Sequence, residues 1–341
     1  MSRFWLIAFC IALSMPFRTS AAPRTVDDVV VDPKTEEVIN GALKYLAGVQ
    51  LPSGAWGSTG MEKQYPVAIT GYTLMAFLAA GNLPGEGAYG KNVLNGVNYL
   101  MNSIGPDGIY GDGHSGQYMY GHGVATIALA EAYGQSKSTA LRTKLAKAVK
   151  LIISSQNEEG GWRYRPVARD ADISVTVLQV VALRAAKNSG IEVPQKTIDD
   201  AVRYVKNCYH PSTGGFGYQP GNAPGFARTA AAIYSLQVCG LYDDPTVKAG
   251  SKYLFEQQSS DQQWFAYGNF YAAPAQYMLG GETWKKWNEK TKAILLKEVK
   301  KEGETYRWES SSRGGVGVVY STAVYTMILA MPYHYIPLYQ K

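Results

Sequence analysis

The stretch Leu151 to Trp162, LIISSQNEEGGW, decides the fold of this chain because it recurs. The same pattern, an aromatic or aliphatic pair, three residues, a polar residue, then Gly and an aromatic, is found in YLAGVQLPSGAW (45–56), YLMNSIGPDGIY (99–110) and YVKNCYHPSTGGF (204–216). YLFEQQSSDQQW (253–264) keeps its ends, and a degenerate sixth copy, LLKEVKKEGETYRW, ends at Trp308. The closing aromatics Trp56, Tyr110, Trp162, Phe216, Trp264 and Trp308 are 54, 52, 54, 48 and 44 residues apart. Even spacing on that scale is the mark of a repeat architecture.

Each copy closes one amphipathic segment and precedes another, as the apolar periodicity of NVLNGVNYLMNSI and VATIALAEAYG shows. The spacing predicts helices over 34–49, 65–81, 88–104, 117–134, 138–156, 171–189, 195–208, 225–239, 244–258, 267–280, 282–301 and 316–331. Every second segment is rich in Ala, Val, Leu and Tyr. The others carry charged stripes such as LRTKLAKAVK. A helix apolar nearly all round is buried and one with a polar face is outside, so six hairpins are expected to close into an inner and an outer ring. Gly54, Gly108, Gly160 and Gly214 permit a sharp exit from a helix. The aromatic after each is expected to cover the hairpin junction, and the Gln to bond exposed helix-end groups. A feature repeated in all hairpins is structural, since it cannot be one unique site.

The chain opens with Arg3, the apolar run FWLIAFCIALSM and small residues at Thr19-Ser20-Ala21, the order of a secretory signal peptide. Residues 1–21 are therefore expected to be a leader, 22–33 a linker and 34–341 one domain, exported to the periplasm or the extracellular space. Later in the chain no run reaches the ~18 apolar residues of a membrane span. The net charge of +6 falls to +4 without Arg3 and Arg18, and its basic residues are dispersed. Nucleic-acid binding gets no support from that. Tyrosine is abundant, 25 residues beside 7 Trp and 9 Phe, which leaves aromatics for more than an aliphatic core. Cys208 and Cys239 fall near the C-terminal ends of consecutive antiparallel helices, roughly 20 Å apart by helix rise, so no disulfide is expected.

The chain resembles the squalene cyclase and prenyltransferase repeat family. The Q-x-x-x-G-x-W element of triterpene cyclases is intact at Gln50/Gly54/Trp56 and Gln156/Gly160/Trp162, and Gln258/Trp264 keeps its ends with Gln262 in place of Gly. The resemblance covers nearly all of the chain after the leader and implies an all-α fold, an α/α toroid of six hairpins. GGWRYRPVARDADISVTV is similar to the cyclase segment in which a Gly-Gly-aromatic turn leads to Asp-x-Asp-Asp at the start of an inner helix. Asp170 and Asp172 fall on its first and third positions, and Ile173 stands where the last Asp would be. Carry-over of the family's catalytic acid nominates Asp172 alone. The implied ligand is an apolar or isoprenoid-like small molecule, with membrane-surface association open. No cofactor and no prenyltransferase α-subunit are expected. The zinc ligands of protein prenyltransferases have no counterpart, because Cys208 and Cys239 sit at helix ends and His114, His122, His210 and His334 lack ligand spacing.

Residues at inner-helix starts should ring one mouth of the toroid: Tyr118, His122, Asp170, Asp172, Arg228, Tyr267, Tyr271, Tyr320 and Thr322, with Tyr164 as a further substrate-binding candidate. Helix N-termini carry partial positive charge, and Tyr faces suit an apolar chain or a carbocation. Asp172 is either an N-cap or an acid toward an alkene. Burial or Asp170 would raise its pKa; the helix N-terminus and Arg169 or Arg228 would lower it. His122 is a base, a ligand-holding group or a hydrogen-bonded structural residue. Arg228 binds an anion or pairs with an acid such as Asp172. Glu131, toward the far end of its helix, is read as bonding backbone or a Tyr, and the terminal PYHYIPLYQ as an aromatic plug. Three functions remain open: an isoprenoid cyclase-like enzyme, a non-catalytic binding toroid for lipid, glycan or peptide, and a polysaccharide lyase or hydrolase.

Overall fold

The computed structural model describes residues 29–111, 118–259, 264–310 and 315–339. The leader at 1–21, most of the linker, His114 and Gln262 lie outside the described residues. Twelve α-helices are described: α1 (Pro33–Gly48), α2 (Pro66–Ala79), α3 (Gly90–Ser103), α4 (Tyr118–Ser136), α5 (Thr139–Ser154), α6 (Ile173–Ser189), α7 (Gln195–Asn207), α8 (Phe226–Val238), α9 (Pro245–Gln257), α10 (Phe265–Leu279), α11 (Gly281–Glu298) and α12 (Val318–Ala330). Each matches an expected segment to within a turn. The even-numbered helices pack in sequence, α2 on α4 through to α10 on α12, and α12 packs back on α2, so the inner ring is closed. The odd-numbered helices lie outside against them. The fold is an α/α toroid.

The repeated turn works by three ties. In the first and third repeats the indole Nε1 donates to the preceding outer helix, Trp56 to the Leu46 carbonyl at 2.6 Å and Trp162 to the Ile152 carbonyl at 2.7 Å. The backbone N–H of each aromatic donates to a threonine one turn into the following inner helix, Trp56 to Thr70 and Trp162 to Thr176, both at 3.0 Å. The glutamine reaches sideways to the next repeat: Gln156 Nε2 donates to the Thr197 carbonyl of α7 at 2.9 Å as well as to Gly160. Gly160 has φ +101, and a methyl group there would lie 2.0 Å from the Asp200 carbonyl oxygen. The glycine thus serves both the turn and the close approach of the neighbouring outer helix. Deleting a buried indole such as Trp162 would cost about 3–5 kcal/mol.

Two repeats depart from the expectation. Trp264 does not cover its junction: it is 47% exposed and has φ +61, the left-handed region, at the cap of α10. That copy has no glycine in the turn, and the left-handed residue is the tryptophan itself; the interior between α8, α9 and α11 is filled by Trp287, packed on Phe255 and Phe226. The sixth copy ends α11 at Glu298, short of residue 301, and continues as a hairpin of β1 (Lys300–Glu302) and β2 (Thr305–Arg307) turning at Gly303. Glu302 pairs with Thr305 across a two-residue turn whose first residue, Gly303, has φ +58, the left-handed position for which a tight hairpin favours glycine. The neighbour across this turn is α1, so the hairpin seals repeat six to repeat one, with buried Tyr306 against Gly41 and ion pairs Lys292 to Asp32 at 2.9 Å and Lys301 to Glu37 at 3.0 Å. A second clasp closes the inner ring. Glu62, buried in the 3-10 turn Gly60–Gln64, accepts the Tyr320 N–H at 2.8 Å and so caps α12 from the opposite end of the chain.

At the far end, the C-terminal segment after α12 packs on α6 and α10, but the side chains it buries are the aliphatic Ile336 and Leu338, while Tyr335 of the expected aromatic plug is 55% exposed. Cys208 and Cys239 are both free thiols. No helix among the described residues is long and apolar enough to cross a membrane.

Candidate functional site

Asp172 ends the loop between α5 and α6 in extended conformation and is the N-cap of α6. Its Oδ1 accepts from the backbone of Ser174 at 2.9 Å and of Val175 at 3.0 Å, and from the Ser174 hydroxyl. The loop is pinned on both sides, Asp172 N–H to the Trp162 carbonyl and Ile173 N–H to the Tyr218 carbonyl. The carboxyl is fully buried. Its other oxygen, Oδ2, makes no hydrogen bond and lies 3.5 Å from Arg163 Nε. Burial raises the Asp172 pKa above its ordinary 3.8, against the pull of Ser174, Val175, the nearby Tyr218 phenol and Arg163.

Aromatic rings surround this carboxyl. The Arg163 guanidinium sits 5.0 Å over Tyr164 and 5.8 Å over Tyr218, while its Nη1 pairs with half-exposed Asp170 at 2.7 Å. The phenols of Tyr164 and Tyr218 share a hydrogen bond, and Tyr164 stacks on Tyr120 with centroids 5.9 Å apart. Ser174 Oγ gives its proton to Asp172 and lies 2.7 Å from the Tyr120 hydroxyl, so Tyr120 donates to it. A two-step hydroxyl path therefore leads from the carboxyl to a half-buried phenol. Tyr267 donates to the Ser174 carbonyl at 2.8 Å and meets Tyr120 edge-on at 6.3 Å. Since α4 and α10 are opposite members of the inner ring, this contact spans the axis. Deeper, Tyr271, Phe270, Tyr72 and Tyr320 continue as edge-to-face pairs with centroids 4.9 Å apart.

The structure thus brings together Asp172, Asp170, Tyr164 and Tyr267, with Tyr271 and Tyr320 beneath them. It does not bring Tyr118, His122 or Arg228 to Asp172. Tyr118 accepts the Tyr110 N–H at 2.7 Å and donates to His122 Nδ1 at 2.8 Å, and His122 Nε2 donates to the Ala148 carbonyl of α5 at 3.0 Å. Both ring nitrogens are occupied on the outer side of α4, and burial pushes the imidazole pKa down to about 4. Arg228 bonds the Ala223 carbonyl at 2.8 Å; the arginine beside Asp172 is Arg163. Sequence reasoning missed Arg163, Ser174, Tyr120, Tyr218 and Tyr72. Tyr120 had a signal, since it stands two residues from both Tyr118 and His122 and so on the opposite face of one helix. Among the described residues no group of His, Cys, Asp or Glu is placed to hold a metal ion.

A family model of the prenyltransferase alpha-alpha toroid domain matches residues 34–266. The chain belongs to that family. Three solved structures show how widely this toroid is used. The type II terpene cyclase MstE from Scytonema, bound to geranylgeranyl dihydroxybenzoate, is 14% identical with a TM-score of 0.58, over 90% of this chain and 100% of that one. The cellobiose 2-epimerase from Bacillus thermoamylovorans is 13% identical with a TM-score of 0.66, over 88% of this chain and 98% of that one. The α-1,6-mannanase from Salegentibacter sp. HEL1_6 is 8% identical with a TM-score of 0.61, over 88% of this chain and 99% of that one. At such identities the likeness is one of fold. No curated protein matches the chain.

Proposed function

We propose that this toroid acts, after export, on an isoprenoid-like molecule held at its tyrosine-lined mouth, with protonated Asp172 as the acid. The observation that carries this reading is the asymmetry of the carboxyl: one oxygen is held by three donors of the α6 cap, while the other is buried, without a hydrogen bond, among phenol rings. A proton on Oδ2 is not locked into the α6 cap, and its polar neighbours are Arg163 and the Tyr218 phenol. Transfer to a carbon–carbon double bond would form a C–H bond, leave a carbocation facing the tyrosine rings and return Asp172 to the carboxylate. The three cap donors and Arg163 stabilise that carboxylate, and the ring faces stabilise the cation. Membership of the prenyltransferase toroid family supports the substrate class.

A second reading, a binding toroid without chemistry, is favoured by the contact of Tyr120 with Tyr267 across the axis above Tyr72 and Tyr320. A chain entering along the axis would have to displace those rings, so a ligand would stay at the mouth. Hydrolysis of a glycoside has less support. It needs two carboxyls facing each other across the bond, whereas Asp170 is tied to Arg163 on the same loop and Glu62 is committed to capping α12.

The test is incubation of the protein lacking residues 1–21 with squalene and with linear prenyl diphosphates, products being identified by mass spectrometry beside Asp172→Asn. Cyclic products lost in the variant are expected. A folded wild-type protein that gives none, yet shows tyrosine fluorescence quenching by the same lipids, would replace the enzyme reading with the binding one.

A further inference from the structure

The plugged end of the toroid holds a second buried carboxyl in a different setting. A cavity of about 160 Å³ lies where the last turns of α2 and α4 meet the C-terminal segment. Its walls are mostly hydrocarbon, from Leu78, Leu83, Ile336 and the ring of Tyr335, with Gln135 and Glu131 as the polar groups. Tyr335 is seated on Gly81, where a methyl group would come within 2.8 Å of its ring, so the segment is fitted to this floor. Glu131 is 7% exposed, and the backbone or tyrosine bond expected of it is not made: among the described residues it has neither hydrogen bond nor ion pair. Among the described residues no lysine, arginine or second acid lines the cavity; the other titratable group in its lining is the Tyr335 phenol, and His334 beside it bonds Tyr277.

We propose that this cavity is a binding site for a small alkylammonium ion, with Glu131 as its counter-ion. Three features select that chemistry. The carboxyl offers two acceptor oxygens and receives no donor from the protein. Two helix C-termini converge here, and their dipoles favour a cation. The hydrocarbon walls would leave a bare inorganic ion poorly solvated but suit a short alkyl chain, and the volume admits about five non-hydrogen atoms at roughly 30 Å³ each. In the free protein the same isolation pushes the Glu131 carboxyl up to about 8, so binding an ammonium group must release its proton. This site is separate from the one at Asp172, at the opposite ends of the inner helices.

The experiment is calorimetric titration of the protein lacking residues 1–21 with n-butylammonium chloride. One-to-one saturable binding is expected at pH 8.5, weakening about tenfold per pH unit below about 8 because the proton competes. Glu131→Gln, whose amide resembles the protonated acid, should lose it while leaving lipid quenching at the mouth unchanged, and butan-1-ol should bind at least tenfold more weakly than the cation. If Glu131→Gln does not fold by circular dichroism, Leu83→Trp, which fills the cavity, must abolish binding instead. Absence of saturable binding to the wild type, equal binding by a folded Glu131→Gln or Leu83→Trp, or equal binding of the alcohol overturns the proposal.

Discussion

Asp172 and Glu131 are two buried acids at opposite ends of one ring, and they differ in everything except burial. Asp172 stands where helices begin. Backbone N–H groups, a serine and an arginine converge on it, and the rise in its pKa is held in check by them. Glu131 stands where helices end and no donor reaches it, so desolvation acts alone and the carboxyl titrates near 8. Burial by itself therefore says little about what a carboxyl does. The direction of the surrounding helices decides whether the protein supplies donors to hold the anion or leaves a proton or a cation to do so.

The contrast can be broken most severely at Asp172. Asp172→Ala removes the α6 cap and leaves the donors of Ser174 and Val175 unanswered in a buried place; a loss of about 2–4 kcal/mol is expected in urea unfolding. A variant as stable as the wild type would mean that the cap carries no weight. Glu131→Gln should cost under about 1 kcal/mol below pH 6, since no partner is lost.

The pH profile is the next largest test. Glu131, raised from 4.5 to about 8, keeps its proton in the folded state where the unfolded chain has lost it. Its contribution is full below 4.5 and is lost as pH rises toward about 8, by up to about 1.4 kcal/mol per pH unit. His122, lowered from 6.5 to about 4, has the opposite sign: stability is present above 6.5 and lost as pH falls toward about 4. The two slopes oppose each other between 4.5 and 6.5, and of the two only that of the glutamate continues above 6.5. Melting curves should therefore decline from pH 6.5 to 8 in the wild type and stay flat in Glu131→Gln.

Smaller changes sharpen the picture at the mouth. Ser174→Ala should cost about 1 kcal/mol and raise the Asp172 pKa further, observed as a shifted carboxyl carbon titration in NMR. Asp170→Asn should change stability by less than about 0.5 kcal/mol because that pair is half exposed. It should also let Arg163 turn toward Oδ2 and lower the Asp172 titration, a displacement opposite in sign to that of Ser174→Ala.

What the chain reveals of itself follows from distance along it. The first four turns, the helices and the cap at Asp172 are written in neighbouring residues and were legible; the exposed Trp264 and the β1–β2 hairpin were not, because the fifth and sixth copies lack the glycine two residues before the closing aromatic. The lumen face of α10, where Tyr267 and Tyr271 are four residues apart, was legible too. On α4 the same spacing of Tyr118 and His122 marked a face that points outward, because periodicity locates a face without telling which way it looks. Arg163 was overlooked in favour of Arg169 and Arg228: only the folded loop lays it over Tyr164 and Tyr218. Glu62 left no trace, since its partner Tyr320 is 258 residues away.

That last contact gives the molecule an order of events. Until α12 is in place, the first repeat has a neighbour on one side only, and the chain is an open arc with two raw flanks. Glu62 and the β1–β2 hairpin convert the arc into a circle, and in a circle no repeat is first. Joining the two chain ends by a linker and opening a new pair between α2 and α3 would redraw the sequence without redrawing the contacts. The position of the seam is thus an accident of where the chain starts, while the need to have one closing step belongs to the ring itself.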